Sequence, residues 1–457
     1  MARGGITGWP AALVAALLLL SGCAAYHERM AVVDEALARG QADKALEALD
    51  EDGREAKHQD RPLYLLNRAM ILRLRGDLEG ALLALDEAAR LTEEAAVISV
   101  SEQAAAATIN EGRRSYAGAP YERRLIHVFL ALTYLELGRL EEARVEALQI
   151  DLVSKALAEK GEPDDPFARW LAGMIFEALG EWSDARIAYD KALAAYTDED
   201  SPYALPPPRQ LQRDLVRATL AVGLGDEARR LRERFHLAAD DPALDPGAYA
   251  RQGELIFIYL DNLAPLWRET NTLIQATEDG HLVRIALPYA VPRPSPVAHA
   301  RVRANGHEAT AERAEDIARL SVTYLEGQMP KLVARAIVRA VAKEKAVDKV
   351  QKEGGAVLGL MMNIATVASE RADTRTWSLL PDNVRVARLP LPPGTYPVRV
   401  ILEDRDGRVL ARRDLGEIFF RAGDKRWRSF HWIDPRITRW WAVPPDPEWI
   451  RIHVHGG

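Results

Sequence analysis

Between Ala31 and Ala250 the apolar positions recur at helical spacing in paired runs, and one local phrase links each pair: an apolar helix, a glycine, then a second helix opening toward an alanine. Gly40 precedes Ala45, Gly76 precedes Ala81, Gly138 precedes Ala143, Gly180 precedes Ala185 and Gly223 precedes Ala228, always five residues apart. Glycine takes turn conformations that other residues resist, and alanine lets two helices approach closely. The second helices continue in phase, as in Ala81, Leu85, Ala88 and in Ala185, Tyr189, Ala192. The gap between Gly76 and Gly138 is the longest, and the alanine-rich stretch Glu93–Tyr121 inside it is predicted to hold an extra helix.

The period changes after the turn-forming clusters Asp240-Asp241-Pro242 and Asp245-Pro246-Gly247. Gly253–Asp261 (GELIFIYLD) is an apolar run of strand length, and His281–Leu287 and Ala298–Ala304 alternate. Asn305-Gly306 predicts a hairpin turn, because both positions tolerate positive φ. Two amphipathic helices are predicted over Ala311–Glu326 and Lys331–Lys352, followed by an apolar helix over Gly354–Arg371 in which Gly355 and Gly359 lie four apart. Strands return at Val384–Leu389 and Tyr396–Glu403. Asp404–Gly407 turns into Arg408–Arg413, and Glu417–Arg421 and Arg426–Ile433 add further strands.

The glycine–alanine phrase resembles the tetratricopeptide repeat, a helix–turn–helix unit of about 34 residues. Ala69 and Ala131 match a small position of its first helix, Tyr134 and Phe176 an aromatic one. Pro392–Leu410 (PPGTYPVRVILEDRDGRVL) resembles the last hairpins of prealbumin-like β-sandwiches. The expected fold is therefore α+β: a helical solenoid over residues 31–250, then a β-sandwich over 251–433 with a helical insertion at about 311–372. A Trp/Arg-rich arm occupies 434–457.

Residues 1–22 read as an export signal, with Arg3, the apolar run Ala11–Leu20 and small residues before the chain's single cysteine, Cys23. Ten apolar residues are too few to cross a bilayer core, which takes about 20. Leu20-Ser21-Gly22-Cys23 resembles the lipobox of bacterial lipoproteins, which implies a diacylglycerol on Cys23 and a lipidated lead over residues 23–30. Ala24 and Ala25 in place of aspartate imply the outer membrane, facing the periplasm. With Cys23 acylated, no thiol is left for disulfides, thiol catalysis or thiolate metal sites. A net charge of −7 opposes binding to nucleic acid. The lipobox, Gly118–Leu125 before Ala131–Leu135, the glycine helix at Gly354 and Ala372–Trp377 together resemble one little-characterised family of bacterial tetratricopeptide lipoproteins. That resemblance implies an envelope location and no established activity.

Candidate binding residues follow from these placements. Asn67, Arg123, Arg124 and Arg169 fall on first helices, which in such stacks line the concave face. Asp373, Arg375 and Trp377 read either as a recognition cluster or as a lock, with Asp373 on Arg375 and Trp377 against the sandwich. Trp427, Trp432, Trp440, Trp441 and Trp449 hold half of the ten tryptophans, interleaved with arginines. They suit a clamp between domains, a sugar-stacking surface or a protein interface. His453 and His455 give no third metal ligand, no metal or cofactor is expected, and no HExxH, Walker, GxSxG or GxGxxG motif is present. The expected function is a non-enzymatic, lipid-anchored envelope adaptor that docks a protein partner, in peptidoglycan or surface-assembly machinery. The alternative is a carbohydrate-binding or carbohydrate-processing protein that uses the aromatic arm.

Overall fold

The computed structural model describes residues 22–53, 58–102, 114–275, 282–354, 371–442 and 444. Five helical hairpins come first among these: α1 (Gly22–Ala38) with α2 (Ala42–Gly53), α3 (Arg61–Arg75) with α4 (Leu78–Glu102), and α5 (Pro120–Glu136) with α6 (Leu140–Ala158). Then come α7 (Pro166–Ala178) with α8 (Trp182–Thr197), and α9 (Arg209–Ala221) with α10 (Gly225–Arg234). The five linking glycines have φ from +69° to +81°, and the five alanines that follow are at most 2% exposed. At Gly76 the turn is closed by Gly76 N to Arg73 O (3.0 Å) and Asp77 N to Leu72 O (2.9 Å). That pattern satisfies carbonyls at the end of the first helix. Into the long gap α4 continues as far as Glu102, because nothing from Ala81 onward breaks a run of good helix formers. The place left for the extra helix expected within Glu93–Tyr121, residues 103–113, lies outside the described residues.

Close approach within a hairpin is sharpest at Gly173 of α7, where an added Cβ would sit 2.4 Å from Cδ1 of the buried Tyr189 ring on α8. Gly173→Ala is expected to lower unfolding stability by about 1–3 kcal/mol through overpacking. Denaturant titration with an unchanged m value would check it.

A short helix, α11 (Pro246–Ala250), leads into the β module. Its strands are β1 (Gly253–Asp261), β2 (Leu266–Gln275), β3 (Leu282–Val291), β4 (His299–Ala304), β5 (His307–Thr310) and β6 (Glu312–Glu315). After the helix α12 (Ile317–Gly354) come β7 (Asn383–Leu391), β8 (Gly394–Glu403), β9 (Val409–Phe420) and β10 (Lys425–Trp432). One sheet runs β10-β1-β7-β6, with β10 parallel to β1, and a second runs β5-β4-β8-β9. They share an apolar interior of Leu255, Phe257 and Tyr259 against Val398, Val400, Leu402 and Phe420. The other face of β1 (Ile256, Ile258, Leu260) belongs to the core of the helical hairpins. Burial on both faces explains why this strand is apolar without alternation.

The structure departs from expectation at four points. Strand β2 was not expected, since Arg268, Glu269 and Asn271 interrupt its apolar pattern; among the described residues it pairs only with β3. The helical insertion does not begin at residue 311, because Glu312–Glu315 pairs with β7. Its two amphipathic segments form one 38-residue helix with Pro330 inside it. The two strands expected over 408–421 are one, β9, with a register shift around Gly416 at φ +82°. The Asn305-Gly306 turn joins β4 to β5 with φ of +43° and +86°. Gly355 and Gly359, and the apolar helix expected around them, lie outside the described residues.

Candidate interaction site

The first helices α3, α5 and α7 are covered from more than one side. In α7, twelve of thirteen residues are buried, whereas α10, a second helix, buries only Ala228. A helix apolar around its whole circumference needs partners all round. The second helices supply one side, and the β module and the segment before β7 supply the other.

Residues 374–380 lie in the groove between α3 and α5 in the manner of a bound peptide. Glu122 of α5 accepts from Trp377 N (2.8 Å) and from the Thr376 hydroxyl (3.1 Å) through Oε1. Its Oε2 accepts from Tyr116 Oη (2.5 Å) and from Ala119 N (2.8 Å) at the start of α5. Burial pushes the Glu122 carboxyl up, and these donors oppose that rise. Asn67 of α3 accepts from Leu379 N (3.2 Å) and donates to Leu63 O (3.1 Å). The Trp377 indole is fully buried, meets Phe129 edge-on at 5.8 Å and donates to Leu66 O (3.1 Å). Arg375 is held by Asp373 (2.8 and 2.9 Å), by Asp60 (2.9 Å) and by Arg114 O (2.8 Å). The expected Asp373–Arg375 lock is present. Trp377, however, packs on the helices and not on the sandwich, because the segment turns inward between α3 and α5.

A second junction is ionic. Arg388 of β7 reaches Glu177 of α7 (2.7 Å), Asp214 of α9 (2.9 Å) and Glu254 of β1 (2.6 Å). Arg217 of α9 pairs with Asp214 (2.7 Å) and Glu177 (2.9 Å), and Lys425 of β10 meets Glu254. Three acids thus face three bases, and all but Lys425 have side chains at most 2% exposed. Tyr189 donates to Glu177 (2.6 Å), and Trp170 Nε1 donates to Asp214 (2.9 Å). The ring of Tyr249 lies 4.0 Å from the Arg217 guanidinium. Burial alone would raise the Glu177 carboxyl, but Arg217, Arg388 and Lys425 hold it well below the usual carboxylate range. Glu254 is likewise brought to about 2, as Arg388 and Lys425 outweigh burial.

A third junction ties α1 to the segment after β10. Asp34 of α1 accepts from Arg293 (2.8 Å) and from Trp441 Nε1 (2.8 Å), and Arg293 also donates to Ala264 O (2.6 Å) and to Ser378 O. Trp427 is buried in the helical core, and Trp440 and Trp441 are half-buried against it. Trp432 packs at the margin of the sandwich interior. Trp427, Trp440 and Trp441 thus pack the C-terminal segment onto the helical core, whereas Trp432 serves the sandwich alone. Trp449, His453 and His455 lie outside the described residues.

Of the binding candidates, the fold brings together Asn67, Arg375 and Trp377, all engaged with the chain's own groove. Arg124 is buried and donates to Tyr203 (2.9 Å) and Pro163 O (2.6 Å). Arg169 ties α7 to Asp164 (2.7 Å) and Asp151 (2.5 Å). Arg123 is half-buried and lies near Glu93. The groove between α3 and α5 is filled by the chain's own segment 374–380, which engages Asn67 and carries Arg375 and Trp377. Glu122, Glu177, Glu254 and Arg388 escaped the sequence reading, although Glu177 and Arg388 each interrupt an apolar run (MIFEALG, VARLPL).

The same interface holds a pH-sensitive group. Asp382, just before β7, accepts from Asn383 Nδ2 (2.8 Å). Burial pushes its carboxyl up to about 7, with Asp261 and Asp316 adding to the rise. The folded chain therefore binds this proton more tightly than the unfolded chain does. Its contribution to stability is lost as pH rises from about 4 to about 7. Asp382→Asn abolishes that loss, so the variant's advantage over wild type is expected to grow by up to about 4 kcal/mol across that window and then level off. Paired urea titrations at pH 4.5, 6 and 8 would check it.

The description "Tetratricopeptide repeat" matches residues 150–200, which contain α7 and α8 with Gly180 and Ala185. The chain is thus a tetratricopeptide-repeat-containing α+β protein, its helical region followed by a β-rich one. No curated protein matches the chain. Among solved structures, a MamA RS-1 ArsTM double mutant is 15% identical, covering 47% of this chain and 94% of that one at a TM-score of 0.31. The tetratricopeptide-like repeats of a putative kinesin light chain from Podosopora anserina are 18% identical, covering 44% and 92% at 0.30. The TPR2AB domain–pHSP90 complex of yeast Sti1 is 16% identical, covering 50% and 82% at 0.20.

Among the described residues no helix is long and apolar enough to cross a membrane, and no group of three or more His, Cys, Asp or Glu could hold a metal ion.

Proposed function

We propose that the chain is a lipid-anchored adaptor of the cell envelope, attached through Cys23 to the outer membrane on its periplasmic side and non-enzymatic. The observation that carries the adaptor reading is the repeat array itself. Five hairpins are held in one arrangement by a β module that closes their inner face, which is the construction of a scaffold presenting outward surfaces. Two four-stranded sheets around one apolar interior support the prealbumin-like reading of that module. Protein partners in peptidoglycan or surface assembly suit such a scaffold. The packing of Trp427, Trp440 and Trp441 on the helical core supports the adaptor reading over the carbohydrate alternative.

The test is in-cell crosslinking of the full-length chain beside its Cys23→Ala variant, with alkynyl-palmitate labelling, membrane fractionation and mass spectrometry. The adaptor reading expects label and membrane retention only with Cys23, and one recurrent envelope protein in the crosslinks. Unlabelled wild type would refute the anchor, and glycan captured without protein would refute the adaptor.

A further inference from the structure

We infer that the outer face of α4, α6 and α8 is a docking surface for a basic amphipathic helix of a protein partner. The inference rests on the adaptor reading and names the surface and chemistry that the adaptor would use. The inner groove is closed, so a partner must meet the outside.

The outside of the three middle hairpins repeats a feature that folding does not require. Seven residues after the linking glycine stand Leu83, Val145 and Ile187, which are 75%, 51% and 46% exposed. The first and last hairpins carry Glu47 and Arg230 at that position. On α6 the apolar stripe continues through the exposed Leu148 and Leu152, one turn apart. The helices are fixed beside one another by Lys191 of α8 on Asp151 of α6 (2.9 Å), and by Arg139, just before α6, on Glu79 of α4 (3.4 Å). The apolar row therefore crosses three neighbouring helices as one surface.

Charge selects the occupant. Exposed Glu79, Glu141 and Asp184 lie on one side of the row, and exposed Asp86 and Asp190 lie on the other. An apolar strip between two acidic rows repels an anionic lipid surface and attracts a cationic ligand. A partner helix laid across the row would present one apolar stripe to the three helices, with lysine or arginine on both flanks. That is recognition of an amphipathic helix by a helical surface.

The probe is a labelled 18-residue helical peptide with leucine at i, i+7 and i+14 and lysine on both flanks, titrated into the full chain by fluorescence anisotropy. Its twin replaces every lysine with glutamate. Saturable binding is expected for the lysine peptide. It should weaken at least tenfold in the Val145→Asp/Leu148→Asp variant, whose thermal unfolding should match wild type, and no binding is expected for the twin. Equal binding by the variant or by the twin overturns the inference. So does self-association of the chain that the same variant abolishes, or retention on anionic vesicles through this face. A photo-crosslinking residue in place of Leu148, compared with one in place of Val338 in α12, separates the two readings. Capture at other positions but never at 148 refutes this face and leaves the adaptor standing. No protein captured from any position refutes the adaptor itself.

Discussion

Replacing Arg388 with methionine is expected to destabilise the chain by about 3–5 kcal/mol. The guanidinium is 1% exposed and meets three carboxylates, Glu177, Asp214 and Glu254, of which two belong to the helical hairpins and one to β1. Without it, three buried acids face only Arg217 and Lys425, and one negative charge is left uncompensated away from water. Arg388→Lys keeps the charge but loses the planar fork that spans all three partners, so it should fall between wild type and methionine. Because the network crosses from hairpins to sheet, the methionine variant should also separate the two halves. Denaturant unfolding followed by helix circular dichroism and by tryptophan fluorescence should give coincident transitions for wild type and displaced ones for the variant. Coincident transitions at unchanged stability would show that the network adds nothing to the junction.

Trp377→Ala should cost a similar amount, about 3–5 kcal/mol, by leaving a cavity where an indole is fully buried against Phe129. It also strips Leu66 O of its indole donor. Trp377→Phe separates the two effects: it keeps most of the packing and loses that one hydrogen bond, for about 1–2 kcal/mol in the buried setting. A phenylalanine variant as damaged as the alanine one would assign the stability to the hydrogen bond and not to packing. These changes act on the groove, far in sequence from α3 and α5.

The hairpins were legible in the sequence because their requirements are local. A left-handed turn needs glycine, and a close helix crossing needs alanine, so five equal offsets mark five φ-positive turns and five buried alanines. What covers the inner face was not legible, since that contact joins residues more than 250 apart, as between Glu122 and Trp377. Asn67 and Trp377 were both singled out, yet as two separate surfaces; the structure makes them two sides of one groove. The buried ionic junction had a local trace, a lone charge inside an apolar run, in Glu177 and again in Arg388. Only the fold shows that these charges meet. Strand β2 was hidden because it has a mixed pattern and, among the described residues, a single ladder partner, while β1 was conspicuous because it is covered on both faces.

The central claim is that the repeat groove is occupied by the chain's own segment 374–380, leaving partners to the outside. Amide hydrogen exchange of the intact protein, read on peptides spanning 375–380, tests it most directly. Trp377 N–H and Leu379 N–H donate to Glu122 and Asn67, so they should exchange as slowly as the amides of β1, by global opening only. Exchange at the rate of an unstructured peptide, with β1 still protected, would show an open groove and contradict the account.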